Sequence, residues 1–245
     1  MADAAVGDVW NVYGGYFQDW LLLPTDWNWR LDPEKGGPLR AVADIGSHWL
    51  DLVQFVLGRR VHSLLADLAT TIPVRRKPTH EIETFASADD VEREDAPMTT
   101  EDLAHILLRF EDGARGSLVV SQVSAGRKNS LRFEVDGSRG SVVWDSERNE
   151  ELWLGHRGKP NELLPRDPSL FLPEASRRTS LPAGHAEGFA ETFKELYRAV
   201  YTAVAAGGPA NGPDYPTFAD GHWENVLGDA VTLSNRERRW VEVTT

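Results

Sequence analysis

Alternation and helical spacing divide the chain into a strand-rich middle flanked by helical stretches. Residues 7–18 contain Val9-Trp10-Asn11-Val12-Tyr13 and predict an opening strand, which runs into a loop rich in Trp, Asp and Pro over 19–38. Ile45, Trp49, Leu52, Val53 and Val56 then recur at i, i+4, i+7, i+8 and i+11, one buried helical stripe that stops at Gly58. Residues 61–72 predict a second strand. Residues 106–110 turn at Glu111-Asp112-Gly113 into 116–123. Leu131, Phe133 and Val135 alternate with Arg132, Glu134 and Asp136, the period-2 signature of a strand with one wet face. Residues 137–140 turn this strand into Val142-Val143-Trp144, and 151–154 make a further short strand. Sequential hairpins of this kind pair antiparallel.

A loop over 155–183 carries Pro160, Pro165, Pro168, Pro173 and Pro182. Beyond it Phe189, Phe193, Leu196, Tyr197, Val200 and Val204 share one face of the strongest predicted helix, closed by Gly207-Gly208. Trp223, Val226, Leu227, Ala230 and Val231 mark another helix, and residues 240–243 an edge strand. The pattern predicts a single α+β domain over 1–245, one large, mostly antiparallel open-faced β-sheet with helices packed on one face. The other face is expected to carry alternate Leu and Val residues and to be covered by a second copy, so a homo-oligomer is expected.

Composition narrows the classes. The 245 residues carry 26 basic and 38 acidic side chains, a net charge of −12, which disfavours nucleic acid because phosphate affinity comes from Lys and Arg. Nine acidic residues and one basic one fall between Glu81 and Asp102, a run that reads as a solvated loop. Cysteine is absent, so disulfides and thiolate chemistry are excluded. The segment Met1-Ala2-Asp3-Ala4-Ala5-Val6-Gly7-Asp8 has no basic start followed by an apolar run, and no stretch has the length of a membrane span. A cytoplasmic protein away from membranes is the expectation. Of nine tryptophans, Trp10, Trp20, Trp27 and Trp29 crowd the first thirty residues. Aromatic faces beside polar groups are a means of holding sugars.

The chemistry-bearing segment is Gly36-Gly37 followed by Asp44-Ile45-Gly46-Ser47-His48. Spacing i, i+4 places Asp44 and His48 on one helical face, and Asp51 continues it. An imidazole beside a carboxylate suits proton transfer. Three uses fit the spacing: a hydrogen-bonded pair at a helix start, a proton-transfer site, or a metal site. His185, in Gly184-His185-Ala186-Glu187-Gly188, precedes the long helix, where capping is the plain role. Arg127-Lys128-Asn129 is a polar cluster that reads as a surface turn or a substrate or subunit contact. No strand leads into Gly-x-Gly-x-x-Gly, and neither Gly-x-x-x-x-Gly-Lys-Ser/Thr nor Gly-x-Ser-x-Gly occurs. These absences predict that the chain has no Rossmann domain and no cofactor-binding residues of its own.

Several of these segments together resemble the glucose–fructose oxidoreductase, inositol dehydrogenase and rhizopine catabolism (Gfo/Idh/MocA) family, in its C-terminal domain. The resemblance is carried by the strand and loop from Gly7 to Leu21, Trp29-Arg30, Gly36-Gly37, Asp44-x-Gly46-x-His48-x-x-Asp51, Gly184-His185-x-Glu187-Gly188, and Tyr215-Pro216-Thr217-Phe218-Ala219-Asp220-Gly221. It implies oxidation of a sugar or polyol hydroxyl with hydride passed to NAD or NADP on a separate or missing Rossmann domain. His48 is then the proton acceptor and Asp44 orients a substrate hydroxyl, the catalytic pair. Gln18, Trp29, Arg30, Asp51 and His185 are the implied substrate contacts, and no metal is implied. The family's Glu-Lys-Pro lysine has no counterpart here; Glu34-Lys35-Gly36 and Gly158-Lys159-Pro160 lie in other contexts. Three readings follow: part of a longer oxidoreductase, a subunit completed by a separate nucleotide-binding protein, or a non-catalytic carbohydrate-binding or assembly module.

Overall fold

The first strand of the chain lies in the middle of the sheet. A computed structural model describes residues 6–80, 91–208 and 212–244. Its strands are β1 (Val9–Phe17), β2 (Val61–Ala69), β3 (Val74–Pro78), β4 (Arg93–Pro97), β5 (Leu103–Phe110), β6 (Arg115–Ser121), β7 (Ser130–Gly137), β8 (Ser141–Asp145), β9 (Glu151–Gly155), β10 (Glu162–Pro165) and β11 (Val241–Glu242). The helices are α1 (Pro33–Gly36), α2 (Ser47–Leu57), α3 (Pro173–Ser176), α4 (Phe189–Ala205) and α5 (Phe218–Glu237). Nine strands form one sheet in the order β10-β9-β8-β7-β1-β6-β5-β2-β11, and β3 and β4 form a separate ribbon. Within the large sheet every neighbouring pair is antiparallel except β1 with β6, where Tyr13 lies opposite Ser117. The α+β class and the antiparallel meander therefore follow the alternation, while the insertion of β1 between β6 and β7 does not.

One face of the sheet is apolar because alternation sends Leu64, Ile106, Leu108, Leu118, Val120, Val12 and Phe133 to the same side. Helices α2 and α5 cover it with Trp49, Leu50, Val53 and Leu57 from one and Trp223, Leu227 and Val231 from the other. Each such side chain contributes roughly 1.5–3 kcal/mol through removal from water. Gly46 lets the start of α2 lie close over β6, since a Cβ there would come 3.3 Å from Val120 Cγ2. Gly58, at φ 65°, ends α2 in the left-handed conformation that glycine adopts without strain.

Four expectations are corrected. The acidic run is not simply a solvated loop. Residues 81–90 lie outside the described residues, but Arg93–Pro97 is a strand, and Glu101 and Asp102 are buried because Arg40 and Arg75 supply their partners. The proline-rich loop contains β10, which extends the sheet by pairing with β9. The open face of the sheet is mixed rather than lined by Leu and Val. Leu107, Val119 and Tyr13 share it with Arg109, Arg115, Arg132 and Glu134, because the regular alternation has already sent the branched residues to the helix side. Finally, α4 forms, but Phe189, Phe193, Tyr197 and Val204 on its apolar face are all exposed.

Candidate active site

The backbone at Asp44 departs from the expected α-helix. Val42–Gly46 forms a π turn, with the Ser47 amide reaching back to the Val42 carbonyl, and α2 follows directly. The Asp44 carboxylate turns to other partners. Its Oδ1 accepts from Arg30 Nε at 2.9 Å and its Oδ2 from Gln122 Nε2 at 2.7 Å. No hydrogen bond joins Asp44 to His48 among the described residues, so the two are not the hydrogen-bonded pair at a helix start that was one use of the spacing.

Arg30 is placed by a single 3-10 turn, Trp29–Leu31. Asn28 caps this turn: its Oδ1 accepts from the Arg30 amide and from Nη1, both at 3.2 Å. The guanidinium carbon stands 4.5 Å from the centre of the Trp29 ring, and Trp29 is half exposed. His48 is exposed on α2, its ring centre 6.2 Å from that of Tyr16 at the end of β1. The Tyr16 hydroxyl donates to Asn129 Oδ1 at 2.6 Å; Gln18 Nε2 donates to the same oxygen at 2.8 Å, and Trp20 Nε1 donates to Gln18 Oε1 at 2.7 Å. Burial, with the Asp44 charge adding to it, pushes the Tyr16 phenol above its ordinary value, so it remains a neutral donor.

Below Asp44 lies a buried ionic cluster. Gln122 Oε1 accepts from Arg40 Nη1 at 3.2 Å, and Arg40 Nη2 pairs with Asp102 Oδ1. Asp102 also takes Arg75 Nη2 at 2.8 Å, the Ile72 amide at 2.8 Å and Thr71 Oγ1 at 3.0 Å. Glu101 accepts from the amides of Arg40 and Val42, and burial pushes its carboxyl upward. The side chains of Arg40, Arg75 and Asp102 are wholly buried.

The structure thus brings Gln18, Trp29, Arg30, Asp44 and His48 to one end of the helix-covered face. Asp51 lies one turn further along α2. It opens onto a cleft of about 620 Å³ shared with Gln54, Asp220, Trp223 and Glu224. Burial, and then the charge of Asp51, push Glu224 up to about 8. Burial and Asp220 raise Asp51, while His48 opposes them. His185 stands elsewhere, on the loop before α4. Its carbonyl receives Arg166 Nη2, and its Nδ1 lies 3.4 Å from the Ala183 carbonyl. Arg166 also ties Glu150 and Glu187, so this motif anchors its own loop.

Sequence reasoning missed Tyr16, Gln122 and Asn28. The alternation of β1 carried the signal for Tyr16, which falls on the side of Val12. Asn129 lay in a cluster already singled out. Gln122 had no local signal, because what defines it is a partner 78 residues away. Among the described residues no group of three or more His, Cys, Asp or Glu is placed to hold a metal ion.

Comparison with known proteins decides the family. The model of the GFO/IDH/MocA C-terminal domain matches residues 1–143. This chain belongs to the GFO/IDH/MocA family. Within the family, it is 30% identical to levoglucosan dehydrogenase of Pseudarthrobacter phenanthrenivorans over 151 residues, 61% of this chain and 38% of that protein. An oxidoreductase domain protein from Kribbella flavida superposes with a TM-score of 0.82 at 31% identity, covering 100% of this chain and 62% of that one. Levoglucosan dehydrogenase in complex with NADH and L-sorbose gives 0.82 at 26% identity, covering 99% and 60%. An inositol dehydrogenase homolog complexed with NAD+ from Azotobacter vinelandii gives 0.81 at 25%, covering 98% and 59%. This chain therefore spans about three fifths of each of these solved chains.

Proposed function

We propose that this chain supplies the substrate-binding and proton-accepting part of a nicotinamide-dependent sugar or polyol dehydrogenase. The observation that carries the reading is the set of side chains around the start of α2. A carboxylate held by two donors stands near an exposed imidazole, a buried phenol and an Arg on an indole. Support comes from relatives captured with NADH together with levoglucosan or L-sorbose.

In this reading Asp44 accepts hydrogen bonds from substrate hydroxyls, and Arg30, Trp29 and Gln18 border the ring. His48 takes the proton of the hydroxyl that is oxidised, while the C–H bond at the same carbon breaks with its electron pair and a carbonyl forms. NAD or NADP, held by a separate nucleotide-binding domain, supplies the acceptor for that hydride. The surface offered to such a domain is the outer stripe of α2, where His48 and Asp51 are exposed and Phe55 is 75% exposed.

The test joins this chain to a nucleotide-binding domain of the same family and follows polyol-dependent reduction of NAD. His48→Gln is expected to lower kcat by ~10²–10⁴-fold, the contribution of a positioned general base. A variant that keeps its rate overturns the assignment.

The same reading includes self-association through the open sheet face, where Tyr13, Leu107 and Val119 lie among Arg109, Arg115, Arg132 and Glu134. Light scattering is expected to give a multiple of 27.3 kDa, and Leu107→Glu to shift the mass toward a single chain.

A further inference from the structure

The polar chain beneath Asp44 has a direction. Gln122 is fully buried, and its amide has one end on Arg40 and the other on Asp44. A guanidinium offers donors only, so the end facing Arg40 must be the carbonyl oxygen. The opposite end is then N–H, and Asp44 Oδ2 meets a donor. Arg40 has no freedom to turn away, because Asp102 and Thr100 hold the remainder of its fork. Asp102 is held in turn by Arg75, whose other contacts are the carbonyls of Leu21 and Leu23. The orientation is therefore set by a wholly buried ionic cluster rather than by the ligand.

On this basis, and resting on the polyol reading above, we propose that Gln122 is a positioning residue that fixes Asp44 as an acceptor-only contact. Arg30 and Gln122 each occupy one direction at one carboxylate oxygen, which leaves one lone-pair direction on each oxygen for a ligand. Two open acceptor directions, with the carboxylate unable to rotate, select a ligand that presents hydroxyl donors at neighbouring positions. A ligand offering carbonyl or carboxylate oxygens there meets lone pairs. Selection for a vicinal diol edge is thus built into the strand end that carries Gln122, outside the Asp44–His48 motif.

Gln122→Glu separates this role from packing. Glutamate keeps the shape and the bond to Arg40, but turns an oxygen toward Asp44. Gln122→Met keeps the volume and removes both bonds. Both variants are compared with the parent chain by two-dimensional NMR, with the sheet amide resonances as the check on folding. Before any ligand is added, the Arg30 Nε–Hε resonance is expected to move in both variants, because Asp44 loses its second anchor. Levoglucosan and myo-inositol are then titrated in, and both variants should bind at least about tenfold more weakly than the parent.

A purely structural role predicts a normal Gln122→Glu variant. An unmoved Arg30 resonance, or Gln122→Glu binding within about twofold of the parent, overturns the proposal. If the parent binds neither polyol while the Arg30 resonance still moves in the variants, the polyol reading falls and the positioning of Asp44 stands.

Discussion

Helices α2 and α4 make the same promise in sequence and keep it differently. Each carries an apolar stripe at helical spacing, and that of α4 runs over 17 residues against 11. In α2 the stripe is the core: Trp49, Leu50 and Val53 are at most 2% exposed. In α4 Phe189 is 74% exposed and Val204 64%, and only Ala199 of the whole helix is buried. Rings on α4 cover one another instead, Phe189 against Phe193 at 5.0 Å and Tyr197 near Tyr201 at 6.4 Å. Periodicity reports that a helix has two unlike faces. It does not report what lies against the apolar one.

The contrast can be broken first at its widest point. Trp49→Ala is expected to destabilise the protein by ~3–5 kcal/mol, through lost burial and the orphaned Arg132 carbonyl that its Nε1 now reaches at 2.9 Å. Phe193→Ala on α4 should cost less than about 1 kcal/mol. Chemical denaturation followed by circular dichroism gives both values, and comparable losses would mean that α4 is covered in solution.

A smaller effect comes from the contact of α2 with α5, where Gln54 Nε2 lies 3.3 Å from Glu224 Oε1. The folded state holds a proton on Glu224 up to about pH 8, whereas the unfolded chain releases it near the ordinary 4.5. The native state therefore binds more protons between these values, and stability should fall as pH rises through that window and level off above it. Asp51, raised by burial and by the charge of Asp220, acts in the same sense, whereas Asp220, held below its ordinary value by its hydrogen bonds from Thr217, acts in the opposite one. Glu224→Gln should flatten the slope and leave the protein more stable at pH 8. A variant with the parent's pH dependence would place the slope elsewhere.

The smallest effect concerns how the helices start. At α5 the Thr217 amide and hydroxyl both donate to Asp220 Oδ2 at 2.7 Å, and Thr217→Ala should cost about 1 kcal/mol. At α4 the cap is Gly188, which has no side chain to lose. Gly188→Ala therefore tests only backbone fit, and a melting temperature lowered as much as by Thr217→Ala would contradict this.

What the sequence made legible was local. Alternation in Leu131-Arg132-Phe133-Glu134-Val135 put β7 in the right place with the right face inward. The spacing of Asp44 and His48 pointed to the candidate site, but not to Arg30 and Gln122 as the partners of the carboxylate. Long-range pairing was not legible. Glu101 and Asp102 sit in a stretch that composition alone assigns to water, and the arrival of Arg40, about sixty residues earlier, together with Arg75 offsets their burial. The pairing of β1 with β6 is equally silent, since a parallel neighbour leaves no turn between the two strands.

That central position of β1 shapes how the molecule must assemble. On one side β7 to β10 follow one another as a meander, and on the other β6, β5 and β2 pair with strands near in sequence. The β7–β10 half can form from short loops, the other half joins β2 to β5 across the β3–β4 ribbon and to the distant β11, and neither half touches the other. They meet only across β1, whose partners on β6 lie about a hundred residues away. During synthesis β1 emerges before β6 and β7 and stays unpaired until they follow. Until it slots in, β6 and β7 each present a bare edge that another chain could capture. The strand that makes the sheet continuous is thus also the one that covers both bare edges.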